Sequence, residues 1–283
     1  MPKDSNQLLL TNLQHSLASD YTFNLVLADF TTTFQKLGCG SEDLARSVAL
    51  YVISQILRAK KLADAEKAIK SYFNHTVFAG NKKIFDLIAT GLATRVSIIV
   101  DEVKPHLQAA VGPVLDYGCG DGRVAQTLHD QLHVVVQGID VRNFKAAGVS
   151  IPLKKFAGGK VPVKGNFYEY AVMTNVMHHE LNNEKIIKEL SRIVAKKLVI
   201  IETVPEANTA VQAKKDWGRM LLNDTLWNRF FNYADIPVPG TYETPAGWIK
   251  RFKKYGWQVA VSEDLGIDQP TIQDRHHLLV FTK

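Results

Sequence analysis

The chain of 283 residues has few cysteines and no long apolar run. Its two cysteines, Cys39 and Cys119, exclude a disulfide framework and a multi-cysteine metal site. No segment approaches the roughly 20 consecutive apolar residues of a membrane span, and the run Leu8–Leu10 is too short for a signal peptide. We therefore expect a soluble protein of a reducing compartment, the cytoplasm, without a membrane partner.

The chain also has no large excess of either charge: its 34 basic and 28 acidic residues leave a net charge of only +6. Small basic clusters lie at Lys154-Lys155, Lys196-Lys197, Lys214-Lys215, Lys250-Arg251 and Lys253-Lys254. We interpret them as solvated surfaces, since no aromatic-rich RNA-binding motif accompanies them. A nucleic-acid partner is the less favoured alternative.

Residues 1–107 have the pattern of a helical region. Ser41, followed by two acids, predicts a helix start. The apolar side chains after it recur at helical spacing: Leu44, Val48, Tyr51, Val52 and Ile56. Further helices are predicted over 23–37, 63–73 and 83–107.

From about residue 108, short apolar runs alternate with helical segments, which indicates βαβ units and a mostly parallel sheet. Strands are predicted over 114–117, 133–139, 170–175, 198–202, 259–262 and 277–282, with helices over 123–131 and 184–195. A ligand crevice then lies beyond the carboxyl ends of the strands. Chemistry is expected just after Asp116, Ile139, Asn175 and Glu202.

Residues 204–247 form a long, aromatic-rich insertion with Asp224, Trp227 and Phe231 at helical spacing, so part of it is predicted to be helix. Long connections at a ligand face are often lids or pocket walls. We expect most of the aromatic side chains in the core and a minority against a ligand. With residues 1–107, the insertion is expected to roof the crevice.

The stretch 114–122 joins an apolar strand to a helix through Gly118, Gly120 and Gly122. A phosphate loop would end in Gly-Lys-Ser/Thr, which is missing. A dinucleotide site would leave room for a pyrophosphate, but here Asp116 and Asp121 flank the glycines. Negative charge suits a ligand with positive charge, such as an amino group or a sulfonium.

This stretch resembles the first motif of the class I S-adenosylmethionine-dependent methyltransferases, D/E-x-G-x-G-x-G. The resemblance continues over roughly 106–283, through Asp140 on the second strand and a segment with Asn175 at a strand end before His178 and His179. It implies an α/β Rossmann-like fold with a mostly parallel seven-stranded sheet, helices on both faces and an N-terminal helical region. The implied domains are 1–107 and 108–283, and the implied cofactor is S-adenosyl-L-methionine.

The resemblance also implies the residues that bind the cofactor: Asp116, Gly118, Cys119, Gly120, Gly122, Asp140, Val141 and Asn175. Asp116 and the loop would hold its amino-acid end, and Asp140 its ribose hydroxyls. The Cys119 side chain is expected to be a small packing residue. Ala157 stands where many relatives have an Asp that contacts adenine.

The catalytic candidates are His178, His179 and Glu202. Either histidine is suited to act as a general base, and the alternative is that it caps or packs under the following helix. Glu202 is expected to bind a substrate hydroxyl or amine, or else to pair with a lysine. We expect no required metal, because no helical His pair or Cys cluster is present; a carboxylate-bound magnesium ion is the open alternative.

The sequence therefore favours a methyltransferase acting on a small or medium organic molecule, by O-, N- or C-methylation. Two alternatives stay open. One is methylation of RNA or protein, and the other is a non-catalytic module that keeps the fold. Because helical N-terminal regions of relatives sometimes mediate dimers, the resemblance also suggests a homodimer.

Overall fold

The computed structural model describes residues 3–77, 79, 82–142, 145–156, 158–206, 210–231, 236–269 and 271–283. Ala157 and Tyr233 lie outside these ranges. The chain divides into two compact units. The helical unit contains residues 1–93, 205–242 and 269–274, and the sheet unit contains residues 94–204, 243–268 and 275–283. These units differ from the predicted domains 1–107 and 108–283, because residues 94–107 fall in the sheet unit and residues 205–242 in the helical unit.

The helices, in chain order, are α1 Lys3–Leu17, α2 Asp20–Lys36, α3 Glu42–Arg58, α4 Leu62–Tyr72, α5 Lys82–Val103, α6 Arg123–Leu132, α7 Asn183–Ile193, α8 Ala210–Thr225 and α9 Pro245–Lys253. The strands are β1 Val114–Tyr117, β2 Val136–Asp140, β3 Leu153–Lys155, β4 Tyr168–Thr174, β5 Val194–Val204, β6 Gln258–Gly266 and β7 Arg275–Thr282. Short 3-10 turns follow α5 and β4, at Lys104–His106 and Met177–His179. Single π-helical turns follow α4 and α8, at Phe73–Val77 and Leu226–Phe231.

The helical unit has its own apolar core, formed by the buried faces of α1 to α4 and α8. As predicted, the Ser41 side chain caps α3 by accepting a hydrogen bond from the backbone N–H of Leu44. The predicted apolar stripe on α3 is wrong at its first member, because the Leu44 side chain is exposed. A residue in the first turn of a helix can lie beyond the edge of the surface on which the helix packs.

The insertion at 204–247 is partly helical, as predicted, and its residues 205–242 belong to the helical unit. Phe230 is fully buried in the core, and Trp217, Phe231 and Tyr242 pack against it. Phe231 stacks on Phe73, with ring centroids 4.9 Å apart. Of these aromatic side chains, Phe230 is thus a core residue and the other three are partly buried at the edge of the core.

The sheet has seven strands in the order β3-β2-β1-β4-β5-β7-β6. Strands β1 to β5 are parallel, whereas β7 runs antiparallel to β5 and to β6. The predicted fold class, a mostly parallel seven-stranded sheet with helices on both faces, is confirmed. Sequence patterns missed β3, which has only three residues and an exposed, lysine-rich sequence.

Each face of the sheet is covered by an apolar core. Buried residues of α7 and α9, including Leu190, Trp248 and Phe252, cover one face. Residues of α5 and α6, including Val100 and Leu128, cover the other face. Alternate residues of β5 supply both cores. Within the described ranges, no helix combines the length and the apolar character that a membrane span needs.

Candidate active site at the carboxyl ends of the strands

The glycine loop after β1 is shaped by close packing at one position and by open space at another. A Cβ on Gly118 would lie 2.4 Å from Cγ2 of Val176, so the segment after β4 leaves no room for a side chain there. Gly118 also has a φ of +75°, which only glycine adopts without strain. Gly120 has a φ of +53° and no atom within 4 Å of a Cβ position. Its backbone is therefore open to a ligand.

The other two loop residues that were predicted to bind cofactor have clear places. Gly122 precedes α6 as its N-cap residue. The Cys119 side chain is buried, and its Sγ would lie 2.7 Å from a Cβ on Gly138 of β2. Burial, followed by the nearby charges of Asp116 and Asp140, raises the pKa of the Cys119 thiol. These contacts support the expected packing role of its side chain.

Asp140 ends β2 and ties that strand to the glycine loop. Its Oδ2 accepts a hydrogen bond from the backbone N–H of Gly120 at 2.9 Å, and its Oδ1 accepts one from the backbone N–H of Arg142 at 2.9 Å. Each carboxylate oxygen has two lone pairs, so further donors can still bind. The next residue, Val141, exposes its apolar side chain.

Asp116 is the least satisfied carboxylate of the loop. Its side chain is buried, and Oδ2 has no hydrogen-bond partner in the described part of the chain. Burial, with smaller contributions from the charges of Asp140 and Asp121, raises the pKa of Asp116 to about 7. An approaching cation would favour the ionised form and supply the missing partner.

Asn175 follows β4 with a φ of +54°. Its backbone N–H donates to the carbonyl of Ile201 at 2.8 Å, which extends the pairing with β5 by one residue. Its side-chain Oδ1 accepts a hydrogen bond from the Thr203 hydroxyl at 3.5 Å. The side chain thus lies at the carboxyl ends of β4 and β5, as predicted.

Glu202 and His178 form a buried pair at the same edge. Oε2 of Glu202 lies 2.7 Å from Nδ1 of His178, and both side chains are almost fully buried. Oε1 accepts hydrogen bonds from the backbone N–H groups of Val176 at 2.7 Å and Met177 at 2.6 Å. Burial alone would raise the pKa of Glu202, but His178 and the two backbone donors outweigh it and hold that pKa below its ordinary value. The expected alternative partner, a lysine, is wrong: the partner is His178.

The pairing determines which imidazole nitrogen carries the proton. An ionised carboxylate can only accept hydrogen bonds, so Nδ1 of His178 must donate. In the neutral imidazole, the lone pair is then on Nε2, which is the nitrogen able to take up a proton. The ring of His179 lies beside it, with centroids 4.1 Å apart and planes tilted by 47°, and His179 is less buried. Sequence reasoning treated His178 and Glu202 as separate candidates and missed both their pairing and the role of Val176.

The two histidines at the start of β7 face opposite sides of the sheet, as expected for neighbours on a strand. His276 is buried, with Nδ1 2.6 Å from Oδ1 of Asp268. Nε2 of His277 lies 2.8 Å from the hydroxyl oxygen of Ser262.

Several of the basic clusters are neutralised locally. Lys196 pairs with Glu169, Arg251 with Glu243 at 3.3 Å and Lys254 with Glu184 at 3.6 Å. Lys197 donates to the backbone carbonyl of His106. Cations that have carboxylate or carbonyl partners offer less charge to a phosphate backbone.

Residues 65–260, more than half of the chain, match a family model described as a methyltransferase domain. The chain belongs to the class I S-adenosylmethionine-dependent methyltransferase family. The family named from the motif around Asp116 is thereby confirmed, together with its fold and its cofactor, S-adenosyl-L-methionine.

Solved structures with a similar fold share little sequence with this methyltransferase. One is the [4+2]-cyclase SpnF, with 14% identity, 65% of this chain and 79% of that chain covered, and a TM-score of 0.49. A second is a SAM-dependent methyltransferase from Aquifex aeolicus, with 16% identity, coverages of 65% and 88%, and a TM-score of 0.44. A third is magnesium protoporphyrin IX methyltransferase from Synechocystis PCC 6803 with bound SAH, with 16% identity, coverages of 77% and 99%, and a TM-score of 0.46. No curated protein matches the sequence significantly.

Proposed function

We propose that this methyltransferase transfers a methyl group from S-adenosyl-L-methionine to a small or medium organic acceptor. The observation that carries the proposal is the carboxylate of Asp116, buried beneath the glycine loop with one oxygen unpaired. A buried polar atom without a partner is unfavourable and is rare in native proteins. A cationic ligand that donates to this oxygen would remove the penalty.

The other residues of the loop fit the same cofactor. Gly120 leaves its backbone open, Asp140 has lone pairs left for ribose hydroxyls, and Val141 offers an exposed apolar surface. Asn175, at the adjoining strand end, would face the reacting end of the cofactor. When bound, the cofactor supplies an electrophilic methyl group on a sulfonium.

Methyl transfer requires alignment of the acceptor and, for a protic acceptor, removal of its proton. We assign the base role first to His178, because the hydrogen bond from Nδ1 to Glu202 selects the neutral tautomer whose Nε2 can take up a proton. Glu202 also stabilises the imidazolium that forms. His179 is the second candidate. Glu202 itself acts through His178 in this assignment, and we no longer expect it to bind substrate directly.

A small acceptor is favoured over a polymer, because the cations of Lys196, Arg251 and Lys254 have carboxylate partners. Binding that depended on phosphate contacts would weaken steeply with added salt. Methyl transfer to RNA or protein is therefore the alternative that a salt titration tests.

The proposal is tested by isothermal calorimetry with S-adenosyl-L-methionine and its demethylated product, followed by methyl-transfer assays with a labelled methyl group. We expect both ligands to bind the wild-type chain and Asp116→Asn to weaken binding at least tenfold. The matched control is Asp130→Asn, which removes an exposed carboxylate on α6. Absence of binding at millimolar ligand would favour the non-catalytic alternative. Unchanged binding by Asp116→Asn would mean that the site is elsewhere.

A further inference from the structure

A buried polar network in the helical unit holds a short segment that connects β6 to β7. We call residues 269 and 271–274 the strap. The Thr33 hydroxyl of α2 donates to the carbonyl of Thr271 at 3.1 Å. The Arg219 guanidinium of α8 donates to the carbonyl of Gln273 at 2.9 Å. Two helices thus bind the backbone of the strap through side-chain donors.

The last residue of the strap, Asp274, is held by its side chain. Nδ2 of Asn223 donates to Oδ1 of Asp274 at 3.0 Å and to Oδ2 of Asp29 at 2.9 Å. The two hydrogens of one amide nitrogen therefore join two buried carboxyl groups. This shared donor is the one side-chain hydrogen bond of Asp274 among the described residues.

The cation in this network is already committed to other carboxylates. Arg219 binds Asp29 through two nitrogens, at 2.6 and 3.2 Å, and pairs with Glu206 at 2.8 Å. Asp274 has no ion-pair partner in the described part of the chain. If it ionised, it would add a negative charge beside a guanidinium that already interacts with Asp29, Glu206 and Asp216.

The protonation of Asp274 reflects this imbalance. Burial, only partly offset by the hydrogen bond from Asn223, raises the pKa of Asp274 to about 7, and the charges of Asp29 and Asp224 act in the same direction while Arg219 opposes them. Burial also raises the pKa of Asp29 against the pull of Arg219. Both acids therefore resist being charged at the same time.

We propose that α2 and α8 hold the strap in place while Asp274 is protonated and release it when Asp274 loses its proton. The sign follows from linkage. An acid whose folded pKa is raised stabilises the closed form fully below its unfolded pKa, and that stability is lost as the pH rises through about 7. The strap should thus open toward alkaline pH. This inference does not depend on the proposed methyl transfer.

The test is backbone hydrogen exchange of residues 271–274 in the full chain between pH 5 and pH 9, corrected for the intrinsic exchange rate. Opening that releases one proton should increase the opening constant by up to about tenfold for each pH unit below about 7 and then level off, because above that pH Asp274 is ionised in the closed form as well. In Asp274→Asn, which keeps an acceptor for Asn223 but cannot ionise, protection should stay constant across this range. Asp20→Asn, an exposed acid of α2, should behave like the wild type.

A second measurement keeps the test valid if Asp274→Asn does not fold. The ¹³C shift of the Asp274 carboxyl carbon in the wild type should titrate at the pH at which the rise in strap opening levels off. Protection that is independent of pH in the wild type would overturn the proposal. So would an unchanged pH profile in folded Asp274→Asn, or a carboxyl group that is already ionised at pH 6.

Discussion

The ends of β1 and β5 each carry one fully buried carboxylate, and the two carboxylates are satisfied in opposite ways. Glu202 accepts three hydrogen bonds within the chain, and its pKa is held below the ordinary value. Asp116 has an oxygen without a partner, and its pKa is raised to about 7. Equal burial thus leads to opposite protonation, because the number of donors decides which form is stable. Glu202 finds all its hydrogen-bond partners within the chain, whereas Asp116 needs a ligand to supply a partner for its unpaired oxygen.

The two ends are joined through one apolar residue. Val176 donates its backbone N–H to Glu202, and its side chain lies against Gly118 of the glycine loop. A disturbance of the loop therefore reaches the hydrogen bonds that fix Glu202.

The largest effect on stability is expected for Glu202, at the end of β5. Glu202→Ala removes a carboxylate that satisfies His178 and two buried backbone N–H groups, so the free energy of unfolding should fall by about 3–5 kcal/mol. Urea denaturation measures this loss. Glu184→Ala is the control, because its pair with Lys254 is exposed and should contribute less than about 1 kcal/mol. A loss for Glu202→Ala as small as that of the control would contradict the account.

The next effect tests the connection between the ends. Gly118→Ala combines a strained φ with a contact to Val176, and should cost roughly 2–4 kcal/mol in unfolding free energy. Gly120→Ala has a positive φ but open space, and should cost about 1 kcal/mol. Adding Val176→Ala to Gly118→Ala should recover part of the loss in a double-mutant cycle. Strict additivity would show that the contact does not matter.

Substitution of Asp116, at the end of β1, is expected to raise the stability of the protein rather than lower it. The raised pKa of Asp116 means that its contribution to stability is present at low pH and is lost as the pH rises through about 7. Asp116→Asn cannot ionise, so at pH 8 it should be more stable than the wild type, on the order of 2 kcal/mol. Thermal unfolding at pH 5 and pH 8 checks this, and an equal difference at both pH values would be inconsistent with the assignment.

The smallest effect concerns Asp140, which is satisfied by two backbone donors but has lone pairs to spare. Asp140→Asn should weaken cofactor binding by about tenfold, or ~1.4 kcal/mol, because it loses one acceptor for the ribose hydroxyls. Calorimetry with S-adenosyl-L-methionine measures the change. A loss larger than that of Asp116→Asn would contradict the greater importance of Asp116 for cofactor binding.

The features that depend on neighbouring residues were predictable from the sequence. Strand β1 has the predicted bounds Val114–Tyr117, and Ser41 caps α3. The place of Asp140 beside the glycine loop, 20 residues away, was implied by the family resemblance. Contacts between distant residues were not, since nothing in the sequence indicates that His178 meets Glu202, 24 residues away, or that Arg219 meets Asp29, 190 residues away. Such pairs depend on how the elements pack.

The central claim is that the unpaired carboxylate of Asp116 receives the positive charge of the cofactor. It is tested most directly by calorimetric titration of S-adenosyl-L-methionine between pH 5 and pH 8. If binding requires ionised Asp116, affinity should rise by up to about tenfold per pH unit below about 7 and then level off, with proton release on binding. Asp116→Asn should bind weakly without this rise. A wild-type affinity that is constant across the range, or the same rise in Asp116→Asn, would contradict the account.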